Sequence, residues 1–449
     1  MPTFSSCATG SFARATVIAL LAIACGGAEQ ARDGSSTIAN AEPIEAAVRM
    51  DGGLTIMEHA ADALERAPRL VTEPVPMATI GGMDGDPRFD LTRVSYAVPL
   101  SDGRVATFAR VGNRVLIFGR DGRGERVIGQ TGKGPGDWMR FGDPIRLRGD
   151  TLLVVDFGNQ RLNWMTADRG VVRNAPLTIS GEVMGMSSVA GLLPDGQAVM
   201  SSAGVWGGHQ TDSLQRSLAR VVSLDLADMT VRTLAVLPDL KGVQYETRYR
   251  GRPRTDWQPL RLAGWALVTV WDSAAALATA ETPWIELRNA QGQVRARLQV
   301  PVVRRAVTTA MREARIATEL EVMSCARSEG MIDPEESRRV AREAPFADTL
   351  PPFGNLMTSS DGTLWVVDVI APGDRAWTAT AFRKDGAIVG RLYVSGRSTP
   401  MAFGDGRVVV RAEDESGVVT LQVLKIQRAS THGSESDRGR TKAVPQPPR

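Results

Sequence analysis

The side chains most able to do chemistry are few and dispersed. Three histidines, His59, His209 and His432, and three cysteines, Cys7, Cys25 and Cys325, are scattered over 449 residues. A disulfide framework or a His/Cys zinc site needs clustered ligands, so neither can be built from this set. No His-Glu-x-x-His, Cys-x-x-Cys or Gly-x-Ser-x-Gly occurs, and a Ser-His-Asp set has only His209 to draw on in the body of the chain. Gly132-Lys133-Gly134-Pro135-Gly136 lacks the Lys-Ser/Thr ending of a phosphate loop and precedes a strand, so it reads as a turn. Asp84-Gly85-Asp86 has neither the spaced ligands nor the terminal Glu of a calcium loop and reads the same way. The densest chemical signal lies in Tyr245 to Arg261. There Arg248, Arg250, Arg252, Arg254 and Arg261 interleave with Tyr245, Tyr249 and Trp257. Guanidinium forks pair with phosphate or carboxylate and aromatic faces stack on sugars, so this stretch is either a ligand-binding loop or a solvated loop with Arg stacked on Trp.

Composition narrows the partners. A 43% hydrophobic and 23% charged chain is globular rather than disordered or multi-pass membrane. The 53 basic and 50 acidic residues leave a net charge of +3, too small to attract nucleic acid, so none is expected as a partner. Residues 1–24 carry one charge, Arg14, ahead of the apolar run Ala15 to Ala24, which has the length of a signal-peptide core rather than a membrane span. Leu21-Ala22-Ile23-Ala24-Cys25 resembles the bacterial lipobox, which implies lipid attachment at Cys25; otherwise the segment is an ordinary secretory peptide. Gly26, where an aspartate would retain a lipoprotein at the inner membrane, resembles the outer-membrane pattern. The expected compartment is therefore the exported bacterial envelope, with the chain lipid-anchored, or periplasmic or secreted if it is not acylated. Cys325 alone then remains in the mature chain, so no intramolecular disulfide is expected, and the small buried-residue reading suits it better than a nucleophile. Residues 25–70, rich in Ala, Gly, Ser and Glu, read as a tether with one short helix near Thr55 to Arg66, and residues 429–449 as a disordered, Pro-rich tail.

These elements must be positioned by a repeat. Turn pairs Asp102-Gly103, Gly149-Asp150, Asp195-Gly196, Asp361-Gly362 and Asp405-Gly406 each precede an apolar run, at a spacing of roughly 45 residues where they follow one another directly. Short strands separated by such turns fill each period, giving six units over residues 71–428. The expected fold is all-β, a six-bladed β-propeller, with Met77 to Gly81 as the outer strand of the last blade. A helical hairpin over 302–349 interrupts the pattern between blades 4 and 5. Val303, Val307, Ala310, Ala314 and Ala317 form its apolar stripe, and Asp333-Pro334-Glu335-Glu336 is a helix start with Pro at the first helical position. It reads as a lid, a partner-docking element or packing against the side of the ring.

Gly132-Lys-Gly-Pro-Gly-Asp137, followed by Leu152-Leu-Val-Val-Asp-Phe-Gly-Asn-Gln-Arg-Leu162, resembles the NHL-type repeat, with weaker echoes at Phe108 to Phe118 and Leu364 to Asp368. The chain is thus similar to secreted six-bladed NHL-like propellers of bacteria. Arg161 matches the Arg of the repeat core, as either a structural pairing residue or a ligand contact. Some six-bladed propellers are lactonases or related hydrolases holding calcium in the channel, and Asp156 and Asp368, each ending an apolar strand, are the candidate metal ligands; both also suit strand-end caps. No cofactor is expected apart from a possible calcium. The resulting expectation is a monomeric, lipid-anchored binding module for a protein, glycan or small ligand at a loop face. The alternatives are a calcium-dependent, lactonase-like hydrolase and a structural envelope scaffold.

Overall fold

Aspartate-glycine pairs set the local geometry. Asp102, Asp195 and Asp361 each accept, through Oδ1, the backbone N–H two residues on, at 3.0, 3.2 and 3.0 Å. This Asx turn leaves the next residue at positive φ, and Gly103 and Gly362 take it at +89° and +82°, where any Cβ would be strained. Each turn feeds a strand, so the period visible in the sequence is a period of hairpins.

The computed structural model describes residues 42–81, 86–91, 94–110, 112–178, 186–202, 214–249, 252–326, 334–414 and 418–429. Residues 1–41, which include the segment expected to be an export signal and Cys25, lie outside the described residues, as do His209 and the tail after residue 429. The first elements are β1 (Ala47–Asp51), β2 (Leu54–Glu58), a helical turn α1 (Ala63–Arg66), β3 (Arg69–Thr72) and β4 (Ala78–Ile80). A four-stranded sheet follows, of β5 (Val94–Pro99), β6 (Val105–Ala109), β7 (Arg114–Phe118) and β8 (Gly124–Ile128). The next contains β9 (Ile145–Arg146), β10 (Leu152–Asp156), β11 (Arg161–Thr166) and β12 (Gly170–Pro176). A five-stranded sheet is built from β13 (Met186–Leu192), β14 (Ala198–Ser202), β15 (Leu214–Leu224), β16 (Val231–Tyr249) and β17 (Arg252–Pro259).

Strands β18 (Leu267–Trp271), β19 (Ala274–Ala278), β20 (Trp284–Arg288) and β21 (Val294–Gln299) form a sheet that β2 and β1 extend to six strands. Two helices come next, α2 (Thr309–Ala326) and α3 (Pro334–Glu343). The last group is β22 (Asn355–Thr358), β23 (Leu364–Val367), β24 (Ala376–Phe382), β25 (Ile388–Ser395), β26 (Ser398–Gly404), β27 (Arg407–Glu413) and β28 (Val419–Arg428). These belong to one nine-stranded sheet, in which β3 runs parallel to β25 and antiparallel to β28 and so joins the four strands β22–β25 to the three strands β26–β28. The described chain is therefore nearly all β.

The apolar strands are sandwiched, and their alternation shows it. On β10, Leu152 and Val154 pack with Val98, Phe108 and Trp138, whereas Leu153 and Val155 pack with Val189, Ala198 and Met200. Both faces are buried, which is why Leu-Leu-Val-Val reads as a continuous apolar run rather than an alternating one. The same division recurs on β14, where Met200 and Val199 serve different clusters, on β19 with Ala276 and Ala275, on β23 with Leu364 and Trp365, and on β27 with Val410 and Val409. One of these clusters packs Val409, Leu421 and Val423 of the last strands against Ala97, Val105 and Leu116 of the first four-stranded sheet. Strand β4 contributes Ile80 to that cluster and pairs with β28, Leu421 opposite Ile80. β4 falls within Met77 to Gly81, the segment expected as an outer strand, and its observed partner is β28.

Three expectations need correction. Residues 44–72 are not a tether: β2 pairs with β21, β3 fills a sheet, Ile44 bridges Ile388, and Ala63 and Leu70 are 0% exposed. Their apolar residues come in runs too short to show a period. Tyr245 to Arg261 is largely not a loop, because β16 and β17 pair from Gly242 opposite Pro259 to Tyr249 opposite Arg252. Helix α2 begins at Thr309, where the Thr308 hydroxyl accepts from Met311 N–H at 3.3 Å, so Val303 and Val307 lie outside the helix and Val303 is 86% exposed. Pro334 is the first described residue of helix α3, a position that suits a proline without N–H, and Asp333 lies outside the described residues. Among the described residues no helix is long and apolar enough to cross a membrane.

Candidate functional site

The sequence-derived candidates fall in three places. Asp156 ends β10 and is 0% exposed. Its Oδ1 accepts from the backbone N–H of Arg140, Gly158 and Asn159 at 3.0–3.2 Å, and its Oδ2 accepts from Asn159 Nδ2 at 2.7 Å. Arg161 Nε stands 3.7 Å away, and its terminal amino group donates to the carbonyls of Gly134 and Asp137. Asn159 also donates to Gly132 carbonyl at 2.9 Å. The Gly-Pro-Gly turn and the Asp-Asn-Arg triplet are thus one knot, in which the side chains replace the hydrogen bonds that the irregular backbone lacks.

Asp368 lies in a different sheet. It pairs with Arg391 at 2.9 Å, accepts from the Thr378 hydroxyl, and lines a small pocket of about 260 Å³ with Trp377 and Tyr393. The structure therefore does not bring Asp156 and Asp368 together. Among the described residues no group of three His, Cys, Asp or Glu side chains is arranged to hold a metal ion.

The arginine stretch is divided by strand register. Arg252 stands opposite Tyr249 and Arg254 opposite Thr247, while Arg248 stands opposite Pro253 at a position of the other parity. Arg250 lies outside the described residues. The Trp257 ring sits where a side chain at residue 242 would be; a Cβ on Gly242 would come within 2.3 Å of it. Glycine there makes room for the tryptophan.

A larger site is assembled where the helices meet the sheets. A cavity of about 820 Å³ is bounded by the end of β17, the crossover from Leu260 to Leu267, helices α2 and α3, and the segments 350–354 and 369–372. That volume lies within the ~300–1,000 Å³ range of small-molecule sites. Its lining is mostly apolar, with Leu240, Leu260, Leu262, Phe353, Val369 and Ile370 among the contributors, and Trp265, also in the lining, is 52% exposed.

Arg261 holds this site together. Its side chain is only 8% exposed and donates to the carbonyls of Val340, Ala341 and Ala344 at the C-terminal end of α3, at 3.2, 2.6 and 3.4 Å. The Val340 carbonyl also accepts the Ala344 N–H at 3.0 Å, whereas Pro345, which has no N–H, leaves the Ala341 carbonyl without its helical partner, and a cation there also meets the negative end of the helix dipole. The same guanidinium pairs with Glu319 of α2 at 2.5 Å and lies over the Phe346 ring. Arg339 of α3 completes the attachment by donating to the Glu246 carbonyl on β16 at 2.6 Å.

The charged groups of the lining differ in what they have left to offer. Glu319 Oε2 faces Arg261 and its Oε1 accepts from Arg315 Nε at 2.7 Å. Both Glu336 oxygens accept from Arg339, at 2.7 and 3.0 Å. Among the described residues, Arg315 makes its hydrogen bond through Nε, and its two terminal amino groups have no protein acceptor. Sequence reasoning named Arg261 only as one member of an arginine run and missed Arg315 and Glu319. Their four-residue helical spacing was the available signal.

A second polar hub ties separate sheets. Arg146 on β9 pairs with Asp150 at 2.7 Å and Asp405 at 3.2 Å and donates to the Pro99 carbonyl at 3.0 Å. Burial pushes the Asp150 carboxyl up, but hydrogen bonds from Ser101 and the charge of Arg146 outweigh it and hold the group below its ordinary 3.8. Nearby, the Tyr96 hydroxyl is pushed up to about 12 by burial and by Asp143.

No family model matches the chain, and a comparison with curated proteins finds no match. Solved structures similar to it include a member of the duf4221 family from Bacteroides vulgatus, at 10% identity and a TM-score of 0.43, over 80% of this chain and 99% of that one. Another is the calcium-binding protein regucalcin from Agrobacterium tumefaciens, at 10% identity and a TM-score of 0.36, over 81% and 97% of the two chains. A third is a catalytically inactive virginiamycin B lyase from Staphylococcus aureus with quinupristin, at 10% identity and a TM-score of 0.34, over 77% and 98%.

Proposed function

We propose that this chain is an exported six-bladed β-propeller of NHL-like type, lipid-anchored at Cys25, that binds a small ligand in the cavity between its loops and the α2–α3 pair. The propeller reading takes β3 as a bridge between two neighbouring blades of the nine-stranded sheet. Six shared apolar clusters then link the blades in sequence order and the last blade back to the first. In this reading the α2–α3 pair is the insertion between blades 4 and 5, and it shares a cavity with the crossover from Leu260 to Leu267. Export and acylation rest on the sequence of residues 1–26.

One observation carries the binding reading: an 820 Å³ apolar cavity whose helical wall is fixed to the sheets by a buried arginine. A cavity of this kind attracts apolar ligands because it takes their surface out of water, at about 25 cal/mol per Å². Titration of the propeller with the neutral dye Nile red tests it. Saturable fluorescence that is lost in Ala263→Trp, a variant that fills the lining while circular dichroism stays unchanged, is the expected result. Dye binding that survives Ala263→Trp overturns the reading. One calcium held per chain in native mass spectrometry, with turnover of lactones, replaces it with the calcium-dependent hydrolase.

A further inference from the structure

We infer that the ligand of this cavity is an anionic amphiphile, an apolar body ending in a carboxylate that pairs with Arg315. The inference rests on the binding reading above and adds to it the charge of the ligand. The argument is an inventory of hydrogen-bonding capacity. An occupant of the cavity meets two carboxylates, Glu319 and Glu336, and each of their four oxygens already faces an arginine. It also meets two arginines. Arg261 is 8% exposed and committed to the three α3 carbonyls, Glu319 and Phe346. Arg315 is 46% exposed, and its bond to Glu319 uses Nε, so the two terminal amino groups remain as donors.

Pairing through Nε also orients the guanidinium. With that edge held by Glu319, the opposite side of the fork is presented for a planar, two-oxygen acceptor, the geometry a carboxylate fits bidentately. A cationic headgroup would meet saturated acceptors and an exposed like charge. In the same lining, the side chains of Leu260, Leu262, Phe353, Val369 and Ile370 offer surface without polar groups of their own. Donors at one place and apolar lining elsewhere fit an acyl or other hydrocarbon body with an acidic end.

Calorimetric titration of the full propeller with decanoate, decanol and decylammonium, each below its aggregation threshold, tests the inference. Decanoate is expected to bind at least about 10-fold more tightly than either chain-matched analogue, the size of one charge-assisted pair in a partly exposed site. Arg315→Gln is expected to lower decanoate affinity about 10-fold and leave decanol unchanged, with Arg315→Lys in between because it keeps the charge and loses the fork. Decanol binding as tightly as decanoate, with both blocked by Ala263→Trp, overturns the charge assignment and leaves the cavity reading standing. Failure of all three ligands together with Nile red overturns the cavity reading itself.

Discussion

The knot at the end of β10 and the cavity beneath α2 and α3 are built from the same materials, arginines and carboxylates against irregular backbone, and they differ in what is left over. At the knot the side-chain hydrogen bonds are made to the protein's own backbone and to one another. Asp156 accepts from four backbone N–H groups, those of Met139, Arg140, Gly158 and Asn159, and from the Asn159 side chain, and Arg161 and Asn159 satisfy carbonyls of the turn from Gly132 to Asp137. At the cavity one member, Arg261, plays that role, while Arg315, also in the lining, keeps two terminal amino groups without an acceptor among the described residues. A recognisable motif therefore marks the place where the fold needed help with its backbone, and the place suited to a ligand has no motif at all.

The largest expected effect comes from breaking the knot. Asp156→Ala removes a fully buried carboxylate and strands its backbone donors together with Arg161, which is expected to lower stability by about 3–5 kcal/mol. Urea unfolding measures it. Decanoate affinity of the folded variant should match that of the parent chain, and a selective loss of affinity would break the distinction drawn between the two regions.

Arg261→Ala comes next. Losing charge-assisted bonds to three helix-end carbonyls and an ion pair is expected to weaken attachment of the helices by about 1.5–3 kcal/mol. Hydrogen exchange should rise in residues 309–326 and 334–343, while the amides of β10, β19 and β23 stay protected. Unchanged exchange in the helices would show that Arg261 is not what holds them.

The smallest effect concerns the Arg146 hub, which, like the knot, spends its groups within the protein. The folded-state carboxyl of Asp150 lies below 3.8, so its contribution to stability is present above that pH and is lost as pH falls toward the folded value. Arg146→Gln removes a cause of that depression and is expected to move the acid-unfolding midpoint upward by a few tenths of a pH unit, read by tryptophan fluorescence. A midpoint that does not move would place the cost of acid elsewhere.

Much of the scaffold was legible because its signals are local. An Asp-Gly pair sets a turn within four residues, and an apolar run such as Leu152 to Val155 announces a strand buried on both faces whatever surrounds it. Pairings made across long separations were less legible. Strand β3 meets β25 and β28 more than 300 residues later, and nothing in Arg69–Thr72 distinguishes it from linker. The β16–β17 hairpin was misread for a related reason: glycine, proline and aspartate are poor strand formers, and pairing from Gly242 opposite Pro259 to Tyr249 opposite Arg252 overrides that propensity.

The sequence by itself determined the alternation of turns and doubly apolar strands, the helix beginning at Pro334, and the scarcity of histidine and cysteine chemistry, since each follows from residues within a few positions of one another. Only the tertiary structure decided which arginines are spent and which have donors to give. Arg161, Arg261 and Arg315 are chemically identical, and their roles diverge because carbonyls surround the first, a helix end and a carboxylate surround the second, and an open apolar cavity lies beside the third.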